Sequence, residues 1–253
     1  MVGYEKDVEV HEEEITPVDM TAKEQVKIEL TEEDKEALRE ALEDMVNPVD
    51  IYVFLDSDTK CPTCSETLKL ARIIEEESPI RNGSKLVRLH VYYKGKDEEA
   101  FKKFRVERTP TFALVDGYVR WTGTPSGEEL RAVIETIIRI SEGDSQLEDS
   151  TRKRIREQLE NEAYIEVVVT PSCPYCPYAA LLANMLAYEA WRLGKPLITA
   201  DTVEAYENMD IAYKYQVMSV PTIAINGVVA FIGVPYEEDF IERVISLSKI
   251  KRK

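Results

Sequence analysis

The residues able to do chemistry in this chain of 253 are its four cysteines, which all fall in two Cys-x-x-Cys pairs: Cys61-Pro62-Thr63-Cys64 and Cys173-Pro174-Tyr175-Cys176. Two sulfurs three residues apart on a helix start are within bonding reach, so each pair can open to a dithiol and close to a disulfide. The thiolate is the nucleophile in such exchange. Each pair stands where an apolar run ends and helix formers begin: residues 51–55 before the first pair with a helical run from Leu68, and residues 164–169 and 179–190 around the second. A helix start offers unpaired N–H groups and the positive end of the helix dipole, which favour a thiolate. Lowering a thiol pKa by about three units takes roughly 4 kcal/mol. The dipole supplies at most about 2 kcal/mol, so hydrogen bonds to the sulfur must supply the rest. Pro62 and Pro174 are tolerated in a first helical turn.

Other readings of the four cysteines compete. Two Cys-x-x-Cys pairs can make a four-thiolate zinc set, but such pairs normally lie within about twenty residues of each other, and here a whole domain separates them. An iron–sulfur cluster shared at Cys173 with glutathione and a second subunit is another reading. A static disulfide in each pair is a third, although so small a ring stabilises a fold little.

The elements that must position these residues repeat. Thr31 is an N-cap before acidic first-turn residues, and Leu38, Leu42, Met45 and Val46 recur at helical spacing. A strand is expected over 49–55, a helix to about Glu77, a strand over 86–93 and a helix over 97–104. Thr109-Pro110 leads into a strand over 112–115, an Asp116-Gly117 turn, a return strand over 119–121 and a helix over 128–140. The polar stretch 141–149 is the expected boundary. Then come a helix over 151–161, a strand over 164–169, a helix over 178–192, a strand over 196–201 and a helix over 203–215. Val220-Pro221, a strand over 223–225, the Asn226-Gly227 turn, a strand over 228–232 and a helix over 237–250 complete the second unit. Cys61 and Cys173 are 112 apart and Pro110 and Pro221 are 111 apart. Gly117 and Gly227, Gly123 and Gly233, and Pro125 and Pro235 are each 110 apart. A period of that length marks a duplicated domain, solenoid repeats being far shorter.

The expected fold is therefore α/β, two tandem domains, each a small mixed sheet with helices on both faces. The expected division is an acidic segment 1–30 (tail or edge strand, with a short strand near 25–30), a first domain 31–143 and a second 144–253. Cys-x-x-Cys next to a βαβ pattern reads as thioredoxin-like.

The formal charge of −16 leaves no basic stripe for nucleic acid; the basic run from Lys249 to Lys253 suits a helix end. The acidic first fourteen residues do not resemble a secretory signal, and no apolar stretch is long enough to span a bilayer. A cytoplasmic protein is expected, with neither nucleic acid nor membrane as partner. Abundant Glu and Lys with scarce Gln, Asn and His match the bias of hyperthermophile proteins.

With Cys173-Pro174-Tyr175-Cys176 in one of two such units, residues 31–250 resemble the glutaredoxin-like protein disulfide oxidoreductases of thermophilic archaea and bacteria. Cys-Pro-Tyr-Cys is the glutaredoxin sequence, and Thr109-Pro110 and Val220-Pro221 match the cis-proline position of the thioredoxin fold. The resemblance implies tandem thioredoxin folds and dithiol–disulfide exchange on protein substrates, with no cofactor or metal besides the redox-active disulfides. It also implies reduction by a thioredoxin-reductase-like flavoenzyme. Cys173 and Cys61 would attack, Cys176 and Cys64 would resolve, and Pro221, Val220, Pro110 and Thr109 would meet an extended substrate, with Tyr175 leaning over the site. The first motif departs from the family in carrying Thr63 for Tyr. The buried Asp that thioredoxin places six residues before its first cysteine is replaced by Leu55 and Val167; Asp56, Asp58 and Glu166 lie nearby in sequence. The alternatives to an enzyme are an electron-relay module, like the tandem-fold start of peroxide-reducing flavoproteins, or a redox-coupled chaperone. His11 and His90 stand isolated.

Overall fold

Residues 26–251 are described in the computed structural model of the chain; the earlier part of the acidic segment, with His11, lies outside them. Helix α1 (Glu32–Leu42) begins at Thr31, whose hydroxyl accepts the Asp34 N–H at 3.1 Å while the Asp34 carboxylate accepts the Thr31 N–H at 2.8 Å. That reciprocal pair satisfies two of the donors every helix start leaves open. The first unit continues with β1 (Val49–Leu55), α2 (Cys64–Glu77), a hairpin of β2 (Ile80–Arg81) and β3 (Ser84–Lys85), β4 (Val87–Tyr93) and α3 (Glu98–Phe104). Then come β5 (Thr111–Leu114), a 3₁₀ turn, β6 (Val119–Thr122) and α4 (Glu129–Glu142). The second unit holds α5 (Asp149–Gln158), β7 (Ala163–Val169), α6 (Cys176–Arg192), β8 (Ile198–Glu204), α7 (Met209–Lys214), β9 (Thr222–Ile225), β10 (Val228–Ile232) and α8 (Glu237–Leu247).

The two units share one eight-stranded mixed sheet, in the order β10-β9-β7-β8-β6-β5-β1-β4. Within each half, two parallel strands lie beside an antiparallel hairpin: β4 and β1 with β5 and β6, β8 and β7 with β9 and β10. The halves fuse where β6 pairs in parallel with β8, Val119 to Thr122 against Ala200 to Val203. Two sheet edges that would otherwise present unpaired backbone are thereby closed. The seam is pinned by buried Asp201 on β8, which accepts from the Thr122 hydroxyl on β6 at 3.1 Å and the Tyr164 hydroxyl on β7 at 2.5 Å. Burial pushes its carboxyl above the usual range, against the pull of Arg120 and of those two hydroxyls.

One face of the sheet carries α3 and α7, each over its own small cluster: Phe54, Phe101, Phe104 and Ala113 under α3, Val168, Val203, Ile211 and Ala224 under α7. The opposite face carries the other helices over one core that runs across both units and includes all four cysteines. The 141–149 connection is itself packed. Ser141 donates to the Asn47 carbonyl at 2.5 Å, and Ser145 donates to buried Glu189 at 2.8 Å.

Three expectations are corrected. Residues 26–30 form no strand; Ile28 is buried against the core, and its N–H donates to the Glu66 carboxylate at 2.8 Å rather than to a sheet edge. The strand expected over 196–201 runs on to Glu204, because pairing on both sides by β7 and β6 keeps it extended and wholly buried. The helix expected over 203–215 is correspondingly only the six residues of α7, so Tyr206 sits in a turn, Tyr213 faces solvent and Tyr215 is buried. The β2–β3 hairpin was not foreseen, though Asn82 and Gly83 at its turn hold the positive φ (53° and 79°) that such a turn demands.

Candidate active sites at two helix starts

Each Cys-x-x-Cys lies at the carboxyl end of a strand and opens a helix. Cys64 is the first residue of α2 and Cys176 the first of α6. Each pair closes on itself as a disulfide, with Cα atoms 5.4 Å apart in the first and 5.5 Å in the second. The four sulfurs therefore do not converge on one ligand set. Among the described residues, no group of three or more His, Cys, Asp and Glu is placed to hold a metal ion.

Facing the cysteines are the two expected prolines. Thr109–Pro110 and Val220–Pro221 are both cis. The Val220 carbonyl lies 3.7 Å from Cys173 Sγ, and Thr109 and Pro110 line one cavity of about 570 Å³ with Cys61, Pro62 and Thr63. Backbone donors reach the sulfurs: the Cys176 N–H donates to Cys173 Sγ at 3.1 Å, and the Asp56 N–H to Cys64 Sγ at 3.3 Å. Such donors stabilise a thiolate beside the helix dipole. Both leading cysteines are buried residues, Cys173 7% exposed and Cys61 1%.

The surroundings differ. Around the second pair Tyr175, Tyr178 and Met218 are exposed apolar surface, and α6 carries no acidic residue in its first turn. Around the first pair, Glu66 occupies the first turn of α2, and the second unit reaches over: Glu207 accepts from the Thr63 hydroxyl and, at 2.7 Å, from the Thr124 N–H. Tyr206, Glu207, Asn208, Val26 and Lys27 line the cavity beside Cys61.

Of the neighbouring acids considered, Asp56 uses its carboxylate on the Ser57 N–H at 2.7 Å and contributes only its backbone to sulfur. Asp58 is exposed. Glu166 is buried and accepts from the Tyr215 hydroxyl, on the α7 side of the sheet. His90 stacks on Tyr52 and meets Asp50 at 2.7 Å, on edge strand β4 and apart from both dithiols. Two carboxylates of the seam are not among the residues expected at the site. Burial pushes Glu129, at the start of α4, up to about 8, and Glu204, at the end of β8, up to about 7. Glu204 accepts the Tyr206 and Glu207 N–H groups at 3.1 and 2.6 Å, shaping the turn that carries Glu207 to Thr63. Their only sequence signal was acidity at an element end, which is ordinary.

A family profile described as thioredoxin domain matches the chain twice, over residues 49–135 and 163–246. A protein disulfide oxidoreductase from Aeropyrum pernix is 53% identical, covering 90% of this chain and 98% of its own, with a TM-score of 0.86. A probable thioredoxin of Methanothermobacter thermautotrophicus is 38% identical over 80 residues, 32% of this chain and 89% of its own length. The alkylhydroperoxide reductase protein AhpF of Enterococcus faecalis shares the fold at 21% identity, TM-score 0.72, covering 85% of this chain and 99% of its own.

Proposed function

The chain belongs to the thioredoxin-domain family, with the domain present twice, and on that premise we propose that it is a dithiol–disulfide oxidoreductase acting on protein disulfides. The observation that carries this reading is the repeated juxtaposition of a Cys-x-x-Cys at a helix start with a cis-proline strand facing it. Cys173 as thiolate attacks one sulfur of a substrate disulfide; the other substrate sulfur leaves with the bonding pair. Cys176, deprotonated, then attacks Cys173 Sγ, closing the protein disulfide and releasing the second substrate thiolate. Two electrons pass from protein to substrate, and the reverse sequence oxidises a substrate dithiol. Val220 and Pro221 offer backbone edge to an extended peptide, with Tyr175 beside it; Thr109 and Pro110 do so for Cys61 and Cys64. Regeneration falls to a thioredoxin-reductase-like flavoenzyme in a reducing, cytoplasmic setting, which the use of every cysteine in an exchange motif supports. Among the described residues, no helix is long and apolar enough to cross a membrane.

The test is turnover of a disulfide-bonded test protein with dithiothreitol as reductant. Cys173→Ser is expected to abolish most of it and Cys61→Ser to lower it less. Full activity in Cys173→Ser contradicts the assignment. The relay reading gains a shared fold from the Enterococcus protein, and two complete dithiols favour exchange with varied substrates.

A further inference from the structure

Between the two units lies a row of buried polar atoms that make no hydrogen bond. Both carboxyl oxygens of Glu129, the Trp121 indole N–H and the Thr202 hydroxyl are all unpaired, and their residues are 1%, 2% and 1% exposed. Such atoms cost folding stability, so each calls for a reason to be there. They are neighbours: Trp121 on β6 is the register partner of Thr202 on β8, and Thr202 is in turn the partner of Val167 on β7, which leads to Cys173. The Trp121 N–H tempers the Glu129 carboxyl without reaching hydrogen-bond geometry.

The position of Glu129 along α6 follows from two bonds. Asn184 donates to the Thr136 hydroxyl at 3.2 Å and Tyr188 to the Ile140 carbonyl at 3.3 Å, each pair 48 residues apart. The helices α4 and α6 thus run side by side in the same direction, and the same offset carried back to their first turns puts Glu129 level with Pro177, the neighbour of Cys176. The loop ahead of Cys173 is joined to the start of α4, since the Glu128 N–H donates to the Pro171 carbonyl at 2.9 Å. In the second unit the position 110 residues on, Asp239, is exposed, because no further unit covers α8.

Resting on the dithiol reading above, we propose that Glu129, delivered by the first unit into the seam beside the second unit's redox helix, is the proton-holding residue of the Cys173–Cys176 dithiol. Once Cys173 has formed the mixed disulfide, the Cys176 S–H bond breaks and its proton is taken up by the Glu129 carboxylate, forming O–H. Cys176 attacks Cys173 Sγ, the bond to the substrate sulfur breaks, and that sulfur leaves with the electron pair. The carboxyl proton then neutralises the departing thiolate. The charges turned toward Glu129 are Glu204 from β8 and Glu128 at the N-cap of α4, both of which favour the protonated form. The sequence of α6 brings no charged side chain in its first turn, and β6 brings the neutral indole. On α1, the Asp34 carboxylate is engaged by Thr31. A carboxyl that titrates at about 8 is matched to a thiol of ordinary acidity, as proton exchange requires.

The experiment uses the full chain with Cys61→Ser and Cys64→Ser, so that only the second dithiol turns over. Turnover of a disulfide-bonded test protein is followed from pH 6 to pH 9, with and without Glu129→Gln or Glu129→Asp. The parent is expected to gain activity through an inflection near pH 8. Glu129→Gln is expected to lose that inflection and about 10-fold or more of the rate, and Glu129→Asp to keep a weakened one. A Gln variant with the parental pH profile and a changed melting temperature overturns the proposal, the carboxyl then being merely structural. If the Gln variant does not fold, infrared difference spectra of the unsubstituted chain, reduced minus oxidised at pH 8, decide. A change in carboxyl C=O stretch that Glu129→Asp shifts supports the proposal, and its absence contradicts it. A parent without turnover would instead defeat the dithiol reading itself.

Discussion

The two dithiols stand on nearly the same backbone and in different company. Each has a disulfide at a helix start, Cα atoms within 0.1 Å of the same spacing, and a cis-proline strand opposite. The second opens onto exposed Tyr175, Tyr178 and Met218, above an uncharged first turn. The first lies in a cavity walled by the other unit's Tyr206, Glu207 and Asn208, with Glu66 in its helix start and Glu207 at Thr63. Negative charge beside a thiol opposes its ionisation. Duplication therefore copied the exchange geometry, and the fusion of the two sheets set the two copies apart. The Cys173 pair lies beside exposed apolar surface; the Cys61 pair is walled in by residues of the second unit.

That contrast can be broken at several points. Cys173→Ser should lower turnover of a protein disulfide by roughly 1,000-fold or more, whereas Cys61→Ser should leave activity within about 10-fold of the parent. Comparable losses would mean that the two pairs act as one site. The contact between units is the next target. Gly127 has φ +58°, and a Cβ there would collide with the Pro171 carbonyl just ahead of Cys173. Gly127→Ala should cost about 1–3 kcal/mol of stability in denaturant titration and slow the Cys173 pair more than the Cys61 pair.

The seam carboxyls give a pH signature with a definite sign. Glu129 and Glu204 hold their protons to about 8 and about 7 in the folded chain, against an ordinary 4.5. Over that window the folded state binds more protons than the unfolded state, so stability falls as pH rises from about 4.5 toward 8 and levels off above. Thermal melts from pH 5 to pH 9 should show this decline, and Glu129→Gln should flatten much of it. The smallest effect is expected from Glu207→Gln. Removing that charge from Thr63 should speed alkylation of reduced Cys61 about two- to fivefold, with Cys173 unchanged.

Much of this arrangement was legible because it depends on local rules. Cysteines between a strand and a helix, prolines at strand starts and Gly-containing turns at a 110-residue offset are fixed by short-range chemistry, and the structure places them together twice. What was not legible depends on one unit meeting the other. β8 extends to Glu204 only because β6 pairs with it, and that pairing has no signature in the sequence of either strand. Glu129 reads as one more acid on an amphipathic helix until α6 and β8 bury it. Ile28 alternates with Val26 and Leu30 like a strand residue, yet its N–H goes to a side chain of α2 rather than to a sheet edge. Acidic residues at element ends are too common for Glu204 and Glu207 to have announced a role.

The most direct test of the central claim is capture of the mixed disulfide in a single chain carrying both Cys64→Ser and Cys176→Ser, which leaves each attacking cysteine without its resolving partner. Offered a disulfide-bonded test protein and analysed by peptide mass spectrometry, this chain should hold substrate predominantly on Cys173, with a minor share on Cys61. Substrate on neither sulfur, or predominantly on Cys61, would contradict the account.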